Sequence, residues 1–189
     1  MTCILITGPS RSGKSEWAEQ LSDRTAKAQN QQIVYIATSQ INSDDAEWQQ
    51  RIAQHRQRRP DSWQLQEVPV DLAGAIALHT ATHCLLIDSL GTWLANLIEQ
   101  DDADWHLSQQ ALIAALAKTN ATVILVAEET GWGVVPAYEL GRRFRDRLGS
   151  LSRVVGEIAT DVYLVTGGYA LNLSTLGEPV GRFGKEPFP

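Results

Sequence analysis

A glycine-rich segment near the start of the chain has the residue types and spacing of a phosphate-binding loop. Residues 8–15 read GPSRSGKS, which fits G-x-x-x-x-G-K-S between an apolar run and a helical pattern. In such a loop the backbone N–H groups point at phosphate oxygens, the lysine reaches the β- and γ-phosphates, and the serine hydroxyl can ligate Mg²⁺. We predict that a nucleoside triphosphate binds here and that Lys14 is also catalytic. The predicted binding residues are Gly8, Pro9, Ser10, Arg11, Ser12, Gly13, Lys14 and Ser15.

Acidic residues follow two other strand-like runs. Asp88 ends the run CLLID, and Glu128 and Glu129 end the run TVILVAE. A phosphate loop usually works with an acidic residue at the end of another strand, which holds Mg²⁺. We therefore predict that Asp88 and the Ser15 hydroxyl form the metal site, although Asp88 also fits a helix N-cap. Glu129 is either functional or a solvated carboxylate.

A basic cluster stands out in an otherwise acidic chain. Arg56, Arg58 and Arg59 follow His55 at the end of a helical pattern. A guanidinium group can bind two phosphate oxygens at once. A neutral imidazole among several guanidinium groups could attack phosphorus and carry a nucleotidyl group. The same residues also fit a solvated helix end with a surface histidine. The residues alone leave both interpretations open.

The elements that must position these residues alternate along the chain. Nearly continuous apolar runs predict buried strands at 3–7, 33–37, 84–88, 122–128 and 162–166. Helical patterns lie between them, at 14–28, 44–58, 93–99, 105–118 and 138–159. This alternation predicts an α/β fold with a mostly parallel sheet flanked by helices, and the loop makes it a P-loop NTPase of the RecA-like type. We predict one domain at 1–173 and a Gly/Pro-rich C-terminal tail at 174–189.

Composition limits the partners. The chain has 189 residues and a net charge of −6, which argues against a dedicated nucleic-acid binder. It has no signal-peptide pattern and no apolar run of about 18 residues that would span a bilayer. Cys3 and Cys84 lie in strand-like runs and are expected to be buried thiols rather than disulfide or metal ligands. We expect a cytoplasmic protein without membrane or nucleic-acid partners.

Several motifs together resemble those of one enzyme family. The segments TGPSRSGKS, YIATSQ, DDAEWQQRIAQHRQRRPDSW, GWGVVP and RRFRDRLG cover nearly the whole chain. In this order they are similar to the bifunctional adenosylcobinamide kinase / adenosylcobinamide-phosphate guanylyltransferase family of cobalamin biosynthesis. The resemblance implies that the chain phosphorylates adenosylcobinamide with ATP or GTP. It further implies that GMP from GTP is then transferred through a guanylyl-histidine intermediate to give adenosylcobinamide-GDP.

The resemblance also assigns residues. It implies that His55 is the guanylylated residue, that GTP, ATP and Mg²⁺ are used, and that the chain forms a homotrimer. Glu67 is carried over from the pattern W-x-x-x-E-x-P, which reads WQLQEVP here. The residues that the resemblance places at the guanine nucleotide are Thr38, Ser39, Arg56, Gln57, Arg58, Arg59, Glu67 and Asp88.

Two other functions fit the phosphate loop. A monofunctional P-loop small-molecule kinase would leave His55 as a bystander. A RecA-like switch driven by nucleoside triphosphate hydrolysis would bind a macromolecule, which the acidic charge disfavours. Trp132, between two glycines, is interpreted either as packing or as a mobile cover over the substrate.

Overall fold

The computed structural model describes residues 2–40, 59–132 and 135–180. Strands in these ranges are β1 (Thr2–Gly8), β2 (Gln32–Ala37), β3 (Gln64–Glu67), β4 (His83–Asp88), β5 (Thr122–Glu128), β6 (Asp161–Thr166) and β7 (Tyr169–Asn172). They form one sheet of seven strands in the order β3-β2-β4-β5-β1-β6-β7. All neighbours are parallel except β6 and β7. The predicted α/β class with a mostly parallel sheet is confirmed.

Six helices lie in the described ranges, and the last of them follows β7. They are α1 (Lys14–Gln29), α2 (Leu72–Ala77), α3 (Leu90–Asn96), α4 (Asp102–Lys118), α5 (Glu139–Ile158) and α6 (Leu173–Leu176). The helix predicted over 44–58 lies outside the described residues. None of the described helices is long and apolar enough to span a membrane.

Two apolar layers bury the sheet. On one face α1 contributes Ala18 and Ala26, which pack with Ile4 and Ile6 of β1. On the other face α2, α3, α4 and α5 pack against the alternate strand residues, with Trp93 among the largest fully buried side chains. Coverage on both faces explains the continuous apolar runs of the central strands.

The two cysteines are buried and unpaired, as predicted. Burial raises the pKa of each thiol, Cys3 and Cys84, to about 12. Thiols in this state are inert structural residues, because the thiolate is the reactive form.

The structure differs from the sequence prediction in its short elements and in the residues at which two helices begin. The edge strands β3 and β7 and the short helices α2 and α6 were not predicted, because each has only four to six residues and gives little periodic signal. Helices α3 and α4 begin about one turn before their predicted starts, because Ser89 and Asp101 cap them. Helix α6 crosses the predicted start of the tail at residue 174 and is capped by Asn172.

Candidate active site

The predicted phosphate loop and the acidic residues lie along one edge of the sheet. In the strand registers Glu67 pairs with Ala37, and Ala37 pairs with Asp88. Gly8, where the loop begins, pairs with Glu128. The carboxyl ends of parallel strands form the edge where open α/β sheets bind ligands. Strand β5 lies between β1, which leads into the loop, and β4, which ends in Asp88.

The loop backbone depends on glycine at two positions. A Cβ on Gly8 would collide with the carbonyl oxygen of Val165 in β6 and come within 2.9 Å of Ser12 Oγ. Gly13 has a positive φ of 92° and caps the N-terminus of α1. Arg11 also has a positive φ, of 58°, so the segment between the two glycines turns sharply.

The loop surrounds a buried cation and a buried hydroxyl. Lys14 is only 5% exposed, and its Nζ donates a hydrogen bond of 3.3 Å to the Pro9 carbonyl oxygen. Ser12 Oγ is buried and has no hydrogen-bond partner within the described ranges. Ser15 follows in the first turn of α1 and is half-buried. A phosphate would supply the acceptors that a buried ammonium and a buried hydroxyl need.

Tyr35 lies between Asp88 and Arg59. The hydroxyl of Tyr35 donates a 2.9 Å hydrogen bond to Asp88 Oδ2. The guanidinium carbon of Arg59 lies 3.7 Å from the centre of the Tyr35 ring. Burial raises the pKa of Tyr35, and the Asp88 charge raises it further, so the phenol stays a donor. Tyr35 therefore touches both a predicted metal ligand and the last residue of the basic cluster.

Thr38 is fully buried and braces the turn after β4. Its Oγ1 donates to the Ser89 carbonyl oxygen at 2.7 Å and accepts from the Ser89 N–H at 2.9 Å. Its own carbonyl oxygen accepts from Asn96 Nδ2 at 2.7 Å. These bonds fix the backbone of Ser89, directly after Asp88. Ser39, the next predicted nucleotide contact, is half-buried.

The cap of α3 is Ser89 rather than Asp88. Ser89 Oγ accepts from the Thr92 N–H at 3.3 Å, and Thr92 Oγ1 accepts from the Ser89 N–H at 3.1 Å. This reciprocal pair is a capping box. The N-cap interpretation of Asp88 is therefore wrong, and its carboxylate is not used to start the helix.

The neighbouring glutamates at the end of β5 have different surroundings. Glu128 uses both carboxylate oxygens on the start of α3, accepting from Ser89 Oγ and from the Gly91 N–H at 3.0 Å. Glu129 accepts a 2.6 Å hydrogen bond from Thr7 Oγ1, and its N–H donates to the Gly8 carbonyl oxygen at 2.9 Å. Glu129 is therefore hydrogen-bonded to the start of the phosphate loop through both its side chain and its backbone.

The other predicted site residues are placed as follows. Glu67 is exposed at the end of edge strand β3, Pro9 is half-buried, and Ser10 and Arg11 are exposed on the loop. Trp132 is 58% exposed in the segment after β5. Four predicted residues lie outside the described part of the chain: His55, Arg56, Gln57 and Arg58.

Sequence reasoning missed Tyr35 and Thr7. The signal for Tyr35 was a phenol in an otherwise aliphatic strand, IVYIA, and the signal for Thr7 was a hydroxyl directly before the first loop glycine.

Arg147 of the motif RRFRDRLG has a structural role. It is buried and donates to the carbonyl oxygen of Gln100 and to Asp102 Oδ1. These bonds hold the pKa of the Asp102 carboxyl below its ordinary value. Arg147 thus ties α5 to the start of α4.

The chain is similar to one enzyme family along most of its length. The sequence profile described as "Cobinamide kinase / cobinamide phosphate guanyltransferase" matches residues 4–173. The bifunctional adenosylcobalamin biosynthesis protein CobP of Pseudomonas aeruginosa is 40% identical over 178 residues, covering 93% of this chain and 98% of that protein. The bifunctional adenosylcobalamin biosynthesis protein CobU of Escherichia coli is 36% identical, covering 90% of this chain and 98% of that protein.

The chain is also similar to a further curated relative and to a solved structure. The bifunctional adenosylcobalamin biosynthesis protein CobU of Salmonella typhimurium is 35% identical over 185 residues, with the same coverage as the Escherichia coli protein. The flagellar accessory protein FlaH of Methanocaldococcus jannaschii matches with a TM-score of 0.48 at 13% identity, over 90% of this chain and 75% of that structure.

Proposed function

Because the chain belongs to the cobinamide kinase / cobinamide phosphate guanyltransferase family, we propose that its phosphate loop serves two successive transfers to one corinoid substrate. The protein is an enzyme of cobalamin biosynthesis with kinase and guanylyltransferase activities, and it uses nucleotides. The observation that carries the proposed mechanism is the loop itself. A buried lysine and a buried hydroxyl that has no hydrogen-bond partner among the described residues lie on the same sheet edge as Asp88.

The first transfer is phosphorylation of the adenosylcobinamide hydroxyl. The loop N–H groups and Lys14 hold the β- and γ-phosphates of ATP or GTP at the start of α1. As the γ-phosphoryl group moves, negative charge grows on the β-phosphate that is left behind. Lys14 lies where it would stabilise this charge, and its burial strengthens the interaction because little water screens it.

The second transfer moves GMP. In this proposal the neutral imidazole of His55 attacks the α-phosphorus of GTP, pyrophosphate leaves into the phosphate loop, and the corinoid phosphate then attacks the histidine-bound phosphorus. A covalent intermediate divides one difficult transfer into two easier ones. The role of His55 rests on the sequence resemblance.

The residues at the sheet edge also fit Mg²⁺. This ion prefers oxygen ligands and commonly binds through one or two carboxylates together with substrate phosphates. The Ser15 hydroxyl and the Asp88 carboxylate are the residues that would hold it. When bound, the ion would neutralise charge on the phosphates during both transfers. The hydrogen bond from Tyr35 would keep Asp88 turned toward it.

We further propose that the guanine nucleotide is bound by Ser39, Glu67 and the basic segment 56–59, with Asp88 beside it. The buried Thr38 would support the site indirectly, because its hydroxyl already hydrogen-bonds with Ser89.

Use of ATP and GTP in a biosynthetic enzyme supports a cytoplasmic location. A homotrimer is proposed from the resemblance. The exposed apolar side chains at the β7 edge, among them Tyr169 at 75% exposure and Leu176 at 71%, offer a surface for it.

The experiment that tests this function supplies the substrates in two stages. Adenosylcobinamide with ATP and Mg²⁺ should give the phosphate, and later addition of GTP should give adenosylcobinamide-GDP and pyrophosphate, with both products identified by mass. Lys14→Ala should lose both stages. A wild-type protein that stops at the phosphate would instead be a monofunctional kinase. Hydrolysis stimulated by nucleic acid, without a corinoid product, would indicate a molecular switch.

A further inference from the structure

The two transfers differ in their need for a proton acceptor. In the kinase step the attacking group is an alcohol, which must lose its proton as it forms the bond to phosphorus. In the guanylyl transfer the attacking groups are a neutral imidazole and a phosphate that is already anionic. A positioned base typically accelerates a step that needs proton removal by about 10²–10⁴-fold. Only the kinase step therefore needs such a base.

Four carboxylates lie at the described part of the sheet edge. Glu128 is engaged through both oxygens by Ser89 and Gly91. Asp88 is engaged by Tyr35 and is the proposed metal ligand. Glu67 is at the end of the edge strand β3, with β2, β4 and β5 between it and the strand that leads into the loop. The fourth carboxylate is Glu129.

Glu129 is fixed at the start of the phosphate loop through its side chain and its backbone. The hydroxyl of Thr7, which is itself buried, donates to Oε1 at 2.6 Å. The Glu129 N–H donates to the carbonyl oxygen of Gly8, the first loop residue. Within the described ranges Oε2 accepts no hydrogen bond, and the side chain is only half-buried. Glu129 thus has one carboxylate oxygen that accepts a hydrogen bond from Thr7 and a second that can accept one from a ligand.

We propose that Glu129 is the general base of the kinase step, a role that rests on the proposed function. The proton of the corinoid hydroxyl passes to a carboxylate oxygen of Glu129, and the oxygen it leaves forms a bond to the γ-phosphorus of ATP. The bond between the γ-phosphorus and the β–γ bridging oxygen breaks, and ADP leaves. Glu129 then returns the proton to water. Thr7 is the positioning residue that orients the carboxylate.

The two half-reactions allow this role to be tested separately. Kinase activity is measured with adenosylcobinamide and ATP, and guanylyl transfer is measured with adenosylcobinamide phosphate and GTP. Glu129→Gln keeps the shape of the side chain and its bond from Thr7 but cannot accept a proton. We expect kinase kcat to fall by about 100-fold or more and guanylyl transfer to change by less than about threefold. A kinase loss below about threefold, or an equal loss in both reactions, would overturn the proposal.

Glu128→Gln is the matched control. Because Glu128 braces the start of α3, this change should lower the two activities by the same factor, together with the melting temperature. A kinase-selective loss in Glu128→Gln as large as that of Glu129→Gln would also contradict the assignment. If wild type gave no guanylyl transfer, the proposed function would fail, while the effect of Glu129 on the kinase step would still be measurable.

Thr7 gives a second pair of variants in case Glu129→Gln does not fold. Thr7→Val removes the hydroxyl that donates to Glu129, and Thr7→Ser retains it. We expect Thr7→Val to lower kinase kcat by about tenfold with guanylyl transfer unaffected, and Thr7→Ser to stay near wild type. Equal kinase rates in the two variants would overturn the positioning role of Thr7 and the catalytic role of Glu129 with it.

Discussion

Replacing Tyr35 by phenylalanine removes one hydroxyl from the centre of the site. Tyr35 is 4% exposed, and its hydroxyl donates a 2.9 Å hydrogen bond to Asp88 Oδ2. The phenylalanine ring fills the same space and still lies under the Arg59 guanidinium. The substitution therefore isolates the bond that orients the proposed metal ligand.

The size of the effect follows from the surroundings of Asp88. A hydrogen bond to a charged group contributes about 1.5–3 kcal/mol net. Asp88 is half-buried, so water can replace part of the lost bond, and we take the lower end, about 1.5 kcal/mol. For a chain of this length that corresponds to a fall in melting temperature of roughly 3–6 °C. Loss of a group that orients a metal ligand typically lowers metal affinity by about 10-fold or more.

The assay is kinase rate as a function of Mg²⁺ concentration, with melting temperature measured on the same samples. We expect Tyr35→Phe to need about tenfold more Mg²⁺ for half-maximal rate and to regain most of the rate at high Mg²⁺. Tyr163→Phe is the matched control, because Tyr163 lies in β6 and its ring packs beside Trp17 in the apolar layer on the α1 face. If Tyr35→Phe lowered the melting temperature but left the Mg²⁺ dependence unchanged, the proposed link between Tyr35, Asp88 and the metal would be refuted.

Three further predictions concern the loop, the helix interface and pH. Gly8→Ala should weaken nucleotide binding at least about tenfold by calorimetry, because its Cβ would meet the carbonyl oxygen of Val165. Arg147→Ala should lower the free energy of unfolding by about 1.5–3 kcal/mol in urea, because the buried guanidinium and its hydrogen bonds to the carbonyl oxygens of Ile98 and Gln100 are lost. Burial and then the charge of His83 lower the pKa of His79 below 6.5. Since the unfolded state binds this proton more strongly, stability should fall as pH drops below about 6.5, and less so in His79→Gln.

The sequence predicted the parts of the fold that strong local patterns specify. Continuous apolar runs located the strands that begin at Thr2, Gln32, His83, Thr122 and Asp161, because strands buried on both faces must be apolar throughout. The phosphate loop was predicted from its glycine spacing. Its conformation follows from two positions where a side chain is excluded or strained.

The sequence did not predict contacts that form only in the folded chain. Tyr35 and Asp88 are 53 residues apart, and Thr7 and Glu129 are 122 residues apart. Each pair meets because parallel strands end at the same edge, and no local pattern indicates which side chains then touch. The edge strand β7 was missed because it has only four residues. The difference between Glu128 and Glu129 also appears only once α3 and the loop are in place.

The central claim is that this chain transfers GMP through His55 as well as transferring a phosphoryl group from the phosphate loop. The most direct test is the intact mass of the protein after incubation with GTP and Mg²⁺, for wild type and for His55→Asn. We expect one added GMP per chain in wild type, lost in mild acid because the phosphorus–nitrogen bond hydrolyses, and no addition in His55→Asn. Absence of the GMP adduct from wild type, or its persistence in His55→Asn, would contradict the account.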